Sequence, residues 1–528
     1  MNYNKSRTRS FFFGFDEASN ILYKCHYNTQ STLTKKRRHE MDLRITIPDF
    51  VRICENHGNI KLSATEKSRV IEGRKSFEKL SGEQKVYGAN TGVGAFFTSK
   101  VCKENEADTQ RTLLITHAAG TGSLMAREEA RGVMFLLINM LKKGNSGISL
   151  PTLEFLIELY NRDIIPAIPE EGSLGASGDL IPLAHTALVL IGEGNVLVGD
   201  KAVPTMLSWD FEKKIVAPIR LKSGEALAVM NGTHFMTTLL ARALYNSEIL
   251  CRTADIVSAL SFIALKGNAE AFASELHYIR PHPGQVSTAW QLNRLTGKTF
   301  RAGNPSPANL QDGYALRCIP QVHGAVKESL QYANRVVDCE LNSVSGNPIF
   351  VNGKVFHGGN FHGHPLALAA DFLCISLTTL GGISERRIYR MLDPHLSNGL
   401  PPYLSSGREN GDCGMMMLQY NAAGLLSENK TLSVPASVDS IPTSGGQEDY
   451  VSMGALAARK ARRVCKNVSK ILAIELLCAI KALELRGDFD TSVFPFRKNI
   501  SYEKFDQDIN YIAKLIESGE FSNEYAGK

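Results

Sequence analysis

The stretch from Asp449 to Arg486 contains no proline, and Val464, Val468, Leu472, Leu476, Ala479 and Leu483 recur along it at three- or four-residue steps. As a single helix it would extend roughly 55 Å at ~1.5 Å per residue. A rod of that length cannot bury its apolar stripe inside one small domain; it needs partners of comparable length, as in a helical bundle and often in an oligomer core. Candidate partners are present. Residues 234–266 run proline-free to Lys266-Gly267, and residues 366–391 are equally dense in Leu, Ile and Ala. Residues 130–143, "ARGVMFLLINMLKK", end in two lysines and are closed by Gly144, a helix C-terminus with its charges in the favourable place. Strand signals are brief, "GNVLVGD" (194–200) followed by "KAV" reading as a hairpin. The expected fold is mainly α, a long-helix bundle with a smaller N-terminal α/β portion.

Composition narrows the function classes. The chain has 528 residues, 43% hydrophobic and 21% charged, with a net charge of +6. That charge is small for the length, and no basic patch interleaved with aromatics follows the N-terminus, which argues against a nucleic-acid partner. The ten cysteines are scattered with no C-x-x-C, pointing to a reducing compartment and away from disulfides or structural zinc. The longest apolar runs, such as Met134–Ile138, are too short for a membrane span, so no membrane partner is expected. Residues 1–41, poor in acids and closing on "KKRRHE", read as an extension, either a solvated tail or a transit segment.

The loops between the helices carry unusual residues. "GSLGASGDLIPLAH" (172–185) contains Ala176-Ser177-Gly178. Taken alone this reads as a glycine turn. If tertiary structure compresses it, however, the Gly178 amide nitrogen can close on the Ala176 carbonyl carbon. Loss of water from Ser177 then leaves an electron-poor exocyclic methylidene, and small residues permit the compression. "VYGANTGVGAFF" (86–97) is glycine-rich but lacks the Gly-Lys-Ser/Thr ending of a phosphate loop. In "QDGYALRCIPQVHG" (311–324), Gln311, Tyr314 and Arg317 recur every three residues and would share a helix face. "HGGNFHGHP" (357–365) offers three histidines, but no carboxylate or cysteine is spaced to complete a metal site, and none is expected.

Eleven pieces occur in order between residues 42 and 490: "YGANTGVG", "HAAGTG", "GSLGASGDLIPLAH", "MNGT", "HPGQ", "QDGYALRCIPQ", "GNP", "HGGNFHG", "SERR", "SENK" and "QEDYVSMG". Together they resemble the histidine/phenylalanine/tyrosine ammonia-lyases, which build 4-methylidene-imidazol-5-one from Ala-Ser-Gly. The resemblance implies that Ala176, Ser177 and Gly178 form that group, with no external cofactor. It implies Tyr87 as the base, Asn231 and Tyr314 holding the prosthetic oxygen and the amine, and Arg317 clamping the substrate carboxylate. Gln311 becomes a supporting hydrogen bonder and Phe361 a pocket wall. It further implies a cytoplasmic homotetramer whose active sites draw on three subunits. The division expected is residues 42–225 for a domain carrying the Tyr87 loop and the prosthetic precursor, 226–490 for the long-helix bundle and 491–528 for a C-terminal helical segment.

Within the family, His117 and Glu448 resemble the histidine branch, aryl lyases usually carrying glutamine at the second position. A carboxylate suits an imidazole ring, whose N–H it can accept, whereas beside a phenyl ring it would be a buried charge without a partner. The expected reaction is therefore L-histidine to trans-urocanate. Thr116, Tyr450, His357 and Gly346 depart from that branch, which keeps a tyrosine or phenylalanine lyase and a 2,3-aminomutase open. An inactive oligomeric scaffold is the remaining alternative.

Overall fold

The expected rod is a 33-residue helix, Gly454–Arg486. In the computed structural model, which describes residues 44–99, 106–207, 217–300, 309–405, 407, 412–487 and 489–526, it packs along two others of similar length, His234–Ala264 and His364–Leu392. With Ile319–Glu340 and Met416–Leu432 they make the bundle. We number these helices α1 (234–264), α2 (319–340), α3 (364–392), α4 (416–432) and α5 (454–486). The 1–41 extension lies outside the described residues, and Thr46–Lys528 form one unit.

α5 starts five residues later than its apolar periodicity suggests. Met453 takes a left-handed conformation, φ +53°, and Ser452 Oγ accepts the Gly454 N–H at 3.2 Å, so the chain breaks before the helix begins. At the other end Arg486 donates to the carbonyls of Ala264, Ser397 and Asn398 at 2.9–3.0 Å.

Buried charges join the helices. Glu475 of α5 is fully buried and accepts from Ser261 Oγ of α1 and from Ser384 Oγ, Arg387 Nε and Arg387 Nη2 of α3, at 2.5–2.9 Å. Asp255 of α1 binds His323 Nδ1 at 2.9 Å and Lys327 Nζ at 2.5 Å, both on α2. Among the described residues, only α3 is long and apolar enough to cross a membrane by length and composition alone. It is a core helix, its Asp371 and Arg387 both paired with residues of α5.

Among the described residues, strands are limited to three antiparallel pairs. β1 (Thr121–Leu124) pairs with β2 (Pro169–Glu171). β3 (Asn195–Val198) and β4 (Lys201–Pro204) form the expected hairpin. β5 (Ile349–Val351) and β6 (Lys354–Phe356) form another, around Asn352-Gly353, both with positive φ. This last hairpin buries Phe350 against Phe77, Val86 and Ala89, and thereby braces the loop that carries Tyr87.

Candidate active site

The Ala-Ser-Gly turn is strained. φ is +108° at Gly172, +95° at Gly175, +48° at Ser177 and +78° at Gly178. A non-glycine residue held this way costs on the order of 1–3 kcal/mol and persists only where its surroundings over-determine it. Gly178 bridges Gly232 in parallel: Asp179 N donates to Gly232 O at 2.7 Å, and Gly232 N to Ser177 O at 3.2 Å. A methyl group on Gly178 would lie 2.2 Å from the Gly232 carbonyl oxygen and 2.9 Å from that of Phe361. On the other side, a methyl on Gly175 would meet Ser452 Oγ at 2.3 Å. The turn is therefore gripped between the start of α1, the Phe361 segment and the Ser452 segment.

Asp179 and Asn231 lie at the same place. Asp179 is fully buried; one oxygen accepts the Met236 N–H at 3.0 Å in the first turn of α1, and the other has no partner. Burial pushes its carboxyl up to about 8, against the opposing pull of the Met236 and Phe235 amides. Asn231, 2% exposed, follows the short helix Glu225–Met230 and immediately precedes the bridging Gly232. Its Oδ1 is buried without a hydrogen-bond partner.

Tyr87 and Glu448 share a second locus. Tyr87 Oη accepts the Gly94 N–H at 2.6 Å, and Tyr87 N donates to His357 Nε2 at 3.2 Å. Burial raises the phenol's pKa, the Gly94 amide opposes this, and the charge of Glu448 adds to the rise. The turn Gly94–Phe96 meets the turn Ser444–Gly446, where Ala95 N donates to Ser444 Oγ at 3.1 Å. Glu448 closes that turn through a backbone bridge to Thr443, whose hydroxyl donates to Glu448 Oε2 at 3.0 Å.

His117 ends the helix Glu106–His117. Its Nδ1 lies 2.7 Å from the Leu113 carbonyl oxygen, so Nδ1 carries the proton and Nε2 is left to accept. Tyr314 and Arg317 share one helical face as expected: the guanidinium sits 4.6 Å from the Tyr314 ring centroid in the short helix Tyr314–Arg317. Gln311 precedes that helix and is exposed, and Tyr314 is 70% exposed. Among the described residues no hydrogen bond or ring contact joins Gln311, Tyr314 or Arg317 to the Ala-Ser-Gly turn. One chain thus gathers Ser177, Asn231 and the Phe361 backbone at one locus and Tyr87 and Glu448 at another, and presents the Arg317 group separately. Phe361 is half-buried, and its contact with the turn is through its carbonyl.

Three contacts escape a reading of the sequence: that of Thr443, which orients Glu448; and, among the loop histidines already singled out, those of His357, which accepts from Tyr87, and of His362, whose Nε2 lies 3.1 Å from the Tyr450 carbonyl oxygen. For His357 a signal existed. "IFVNGKVF" is an Asn-Gly turn between apolar runs, the mark of a hairpin, and its exit residue is His357. The histidines of that loop engage the Tyr87 amide, the Tyr450 carbonyl and the Tyr450 ring, and the rings of His362 and His364 also approach each other at 6.0 Å; among the described residues no group of His, Cys, Asp and Glu is arranged to hold a metal.

The sequence profile of the aromatic amino acid lyases matches residues 45–500, and the chain belongs to that family. It is 42% identical over 492 residues to the histidine ammonia-lyase of Alkaliphilus oremlandii, covering 90% of this chain and 96% of that one. Its fold is similar to that of tyrosine aminomutase from Streptomyces globisporus, with a TM-score of 0.84 and 36% identity over 92% of this chain and 97% of the other. It is likewise similar to histidine ammonia-lyase from Trypanosoma cruzi, with a TM-score of 0.81 and 35% identity over 91% and 94%.

Proposed function

We propose that this protein eliminates ammonia from L-histidine to give trans-urocanate, as a cytoplasmic homotetramer, using 4-methylidene-imidazol-5-one made from Ala176-Ser177-Gly178. The observation that carries the reading is the turn itself, with Ser177 at φ +48° and Gly178 pressed against two carbonyl groups. The residues fit the group: the backbone is already bent, and the unpartnered Asn231 Oδ1 is buried one residue from the bridge that holds the turn. The group supplies an electrophile that makes the substrate amine a better leaving group.

The chain's own residues supply the rest. Tyr87 takes the β-proton at Oη, and its raised phenol pKa places the competent phenolate at alkaline pH. Arg317, with its planar fork, holds the carboxylate, and Tyr314 and Asn231 hold the amine and the prosthetic oxygen. Gln311 supports them by hydrogen bonding, and Phe361 forms a wall. His117, with Nε2 left to accept, and Glu448, held by Thr443, address the imidazole ring. The exposure of Gln311 and Tyr314 supports a site completed by neighbouring subunits. The 42% identity to a histidine ammonia-lyase supports histidine as substrate.

A tyrosine-acting lyase or aminomutase is the second reading, supported by Tyr450 and by the likeness to the tyrosine aminomutase. Incubation with histidine, tyrosine and phenylalanine in parallel separates them. Urocanate is expected; coumarate or cinnamate as the main product overturns the substrate, and a β-amino acid overturns the lyase in favour of the mutase. Intact mass should fall short of the calculated value by two waters, one from cyclisation and one from Ser177, and a full-mass protein overturns the mechanism.

A further inference from the structure

We propose that His362 is a positioning residue that fixes Glu448 relative to the Ala-Ser-Gly turn; the proposal rests on the reading of that turn and of Glu448 given above. The turn is covered by two segments remote in sequence. Phe361 places its carbonyl against Gly178, and Ser452 places its hydroxyl against Gly175. His362 joins them. Its Nε2 lies 3.1 Å from the Tyr450 carbonyl oxygen, which can only accept, so Nε2–H is the donor. Its ring also stacks on Tyr450, with centroids 6.1 Å apart and planes at 15°, and His364 approaches the same ring at 6.1 Å.

Leverage makes this contact matter. The segment that carries Glu448 is tied to the turn at one end, where Met453 N donates to Leu174 O at 3.0 Å. Glu448 lies five residues back from Met453, a reach of at most roughly 17 Å. With one tie, that length of chain can swing. The bond from His362 to Tyr450 is a second tie, two residues from Glu448 and adjacent to Phe361, so it sets the direction in which the segment leaves the turn. Thr443 and Ser440 hold the segment within its own loop, Ser440 Oγ accepting the Val451 N–H at 2.8 Å. His362 instead refers it to the residues around Ser177.

The test uses the full-length protein with three substitutions and a double-mutant cycle. His362→Phe keeps a ring to stack and removes the donor, His362→Gln keeps a donor and removes the ring, and His362→Ala removes both. Efficiency on the preferred substrate should fall roughly three- to tenfold in His362→Phe, the worth of one hydrogen bond, and return to within about twofold of wild type in His362→Gln. The two-water mass deficit and the unfolding midpoint of His362→Phe should match the wild type. In a Glu448→Gln background, His362→Phe should cost nothing further, because the group it positions has lost its charge. A wild-type efficiency in His362→Phe, an equal cost in the Glu448→Gln background, or no rescue by glutamine overturns the proposal. So does loss of the mass deficit, which would place His362 in making the prosthetic group. A wild type that prefers tyrosine overturns the substrate reading alone, since the cycle reads coupling to Glu448 on whichever substrate is preferred.

Discussion

The middle of the bundle and the N-terminal end of α1 are equally dry but treat polar groups differently. At mid-bundle, Glu475 has both carboxylate oxygens doubly bonded, and only one nitrogen of its partner Arg387 is left over. At the end of α1, Asp179, Asn231 and His234 are 0–4% exposed, and each keeps a buried atom with no partner. Burial pushes the carboxyl of Asp179 up to about 8 and the imidazole of His234 down to about 3, in each case toward the neutral form. An unmet buried group costs about 1–3 kcal/mol. Glu475 spends its polar atoms on holding helices together, although the bundle also buries Thr253 Oγ1, His323 Nε2 and Asn467 Oδ1 without a partner; at the site end the unmet atoms lie on residues beside the strained turn.

The sharpest way to separate the two regions is Ser177→Ala. Turnover should be lost and the mass should rise to the full calculated value, while the denaturation midpoint stays at wild type; a shifted midpoint would mean that the turn also holds the bundle. Glu475→Ala should do the reverse. It strands the buried Arg387 and should cost about 3–5 kcal/mol in chemical denaturation, while the protein that remains folded keeps the two-water deficit. Tyr87→Phe should reduce turnover by about 10²-fold or more while keeping the two-water mass deficit and costing no more stability than the lost Gly94 hydrogen bond, about 1 kcal/mol; near-normal turnover would assign the base elsewhere.

Glu448→Gln gives the smallest and most specific effect. Histidine efficiency should fall relative to tyrosine, because a charge-assisted partner for imidazole is removed. The charge of Glu448 raises the Tyr87 phenol, and under the proposed mechanism the phenolate is the working form. Removing that charge should therefore lower the phenol's titration and move the rising limb of the pH–rate profile to lower pH. A limb that stays in place would separate Tyr87 from Glu448.

The same contrast explains what could be read from the sequence. The bundle was legible because helices bury a stripe: the apolar steps at Val464, Leu472 and Leu483 and the closing Gly144 mark elements that the structure contains. The expected start of α5 at Asp449 was wrong because Tyr450, Val451 and Ser452 are apolar or small enough to continue the pattern yet are pulled into the site, and Met453 breaks the helix. In the candidate site, the sequence names residues but not the partners the structure gives them. Nothing local to Glu448 announces that Thr443 will bend back to it, and nothing local to Phe361 announces Gly178, because those contacts are set by how α1, α3 and α5 pack. The pairing of β1 with β2 was hidden for the same reason.

The two anchored ends of α5 give the chain a counting problem. Ser452 and Met453 touch the turn at one end, Glu475 meets α1 and α3 part-way along, and Arg486 grips three carbonyls at the other end. One residue added between Gly454 and Glu475 would rotate everything beyond it by about 100° and advance it by about 1.5 Å. Glu475 would then point away from Arg387, and Arg486 away from its carbonyls. Substitutions along this helix away from Glu475 and its other anchors can be absorbed one at a time, but insertions and deletions cannot, so its length should be inherited as a fixed number while the loops around it are free to grow.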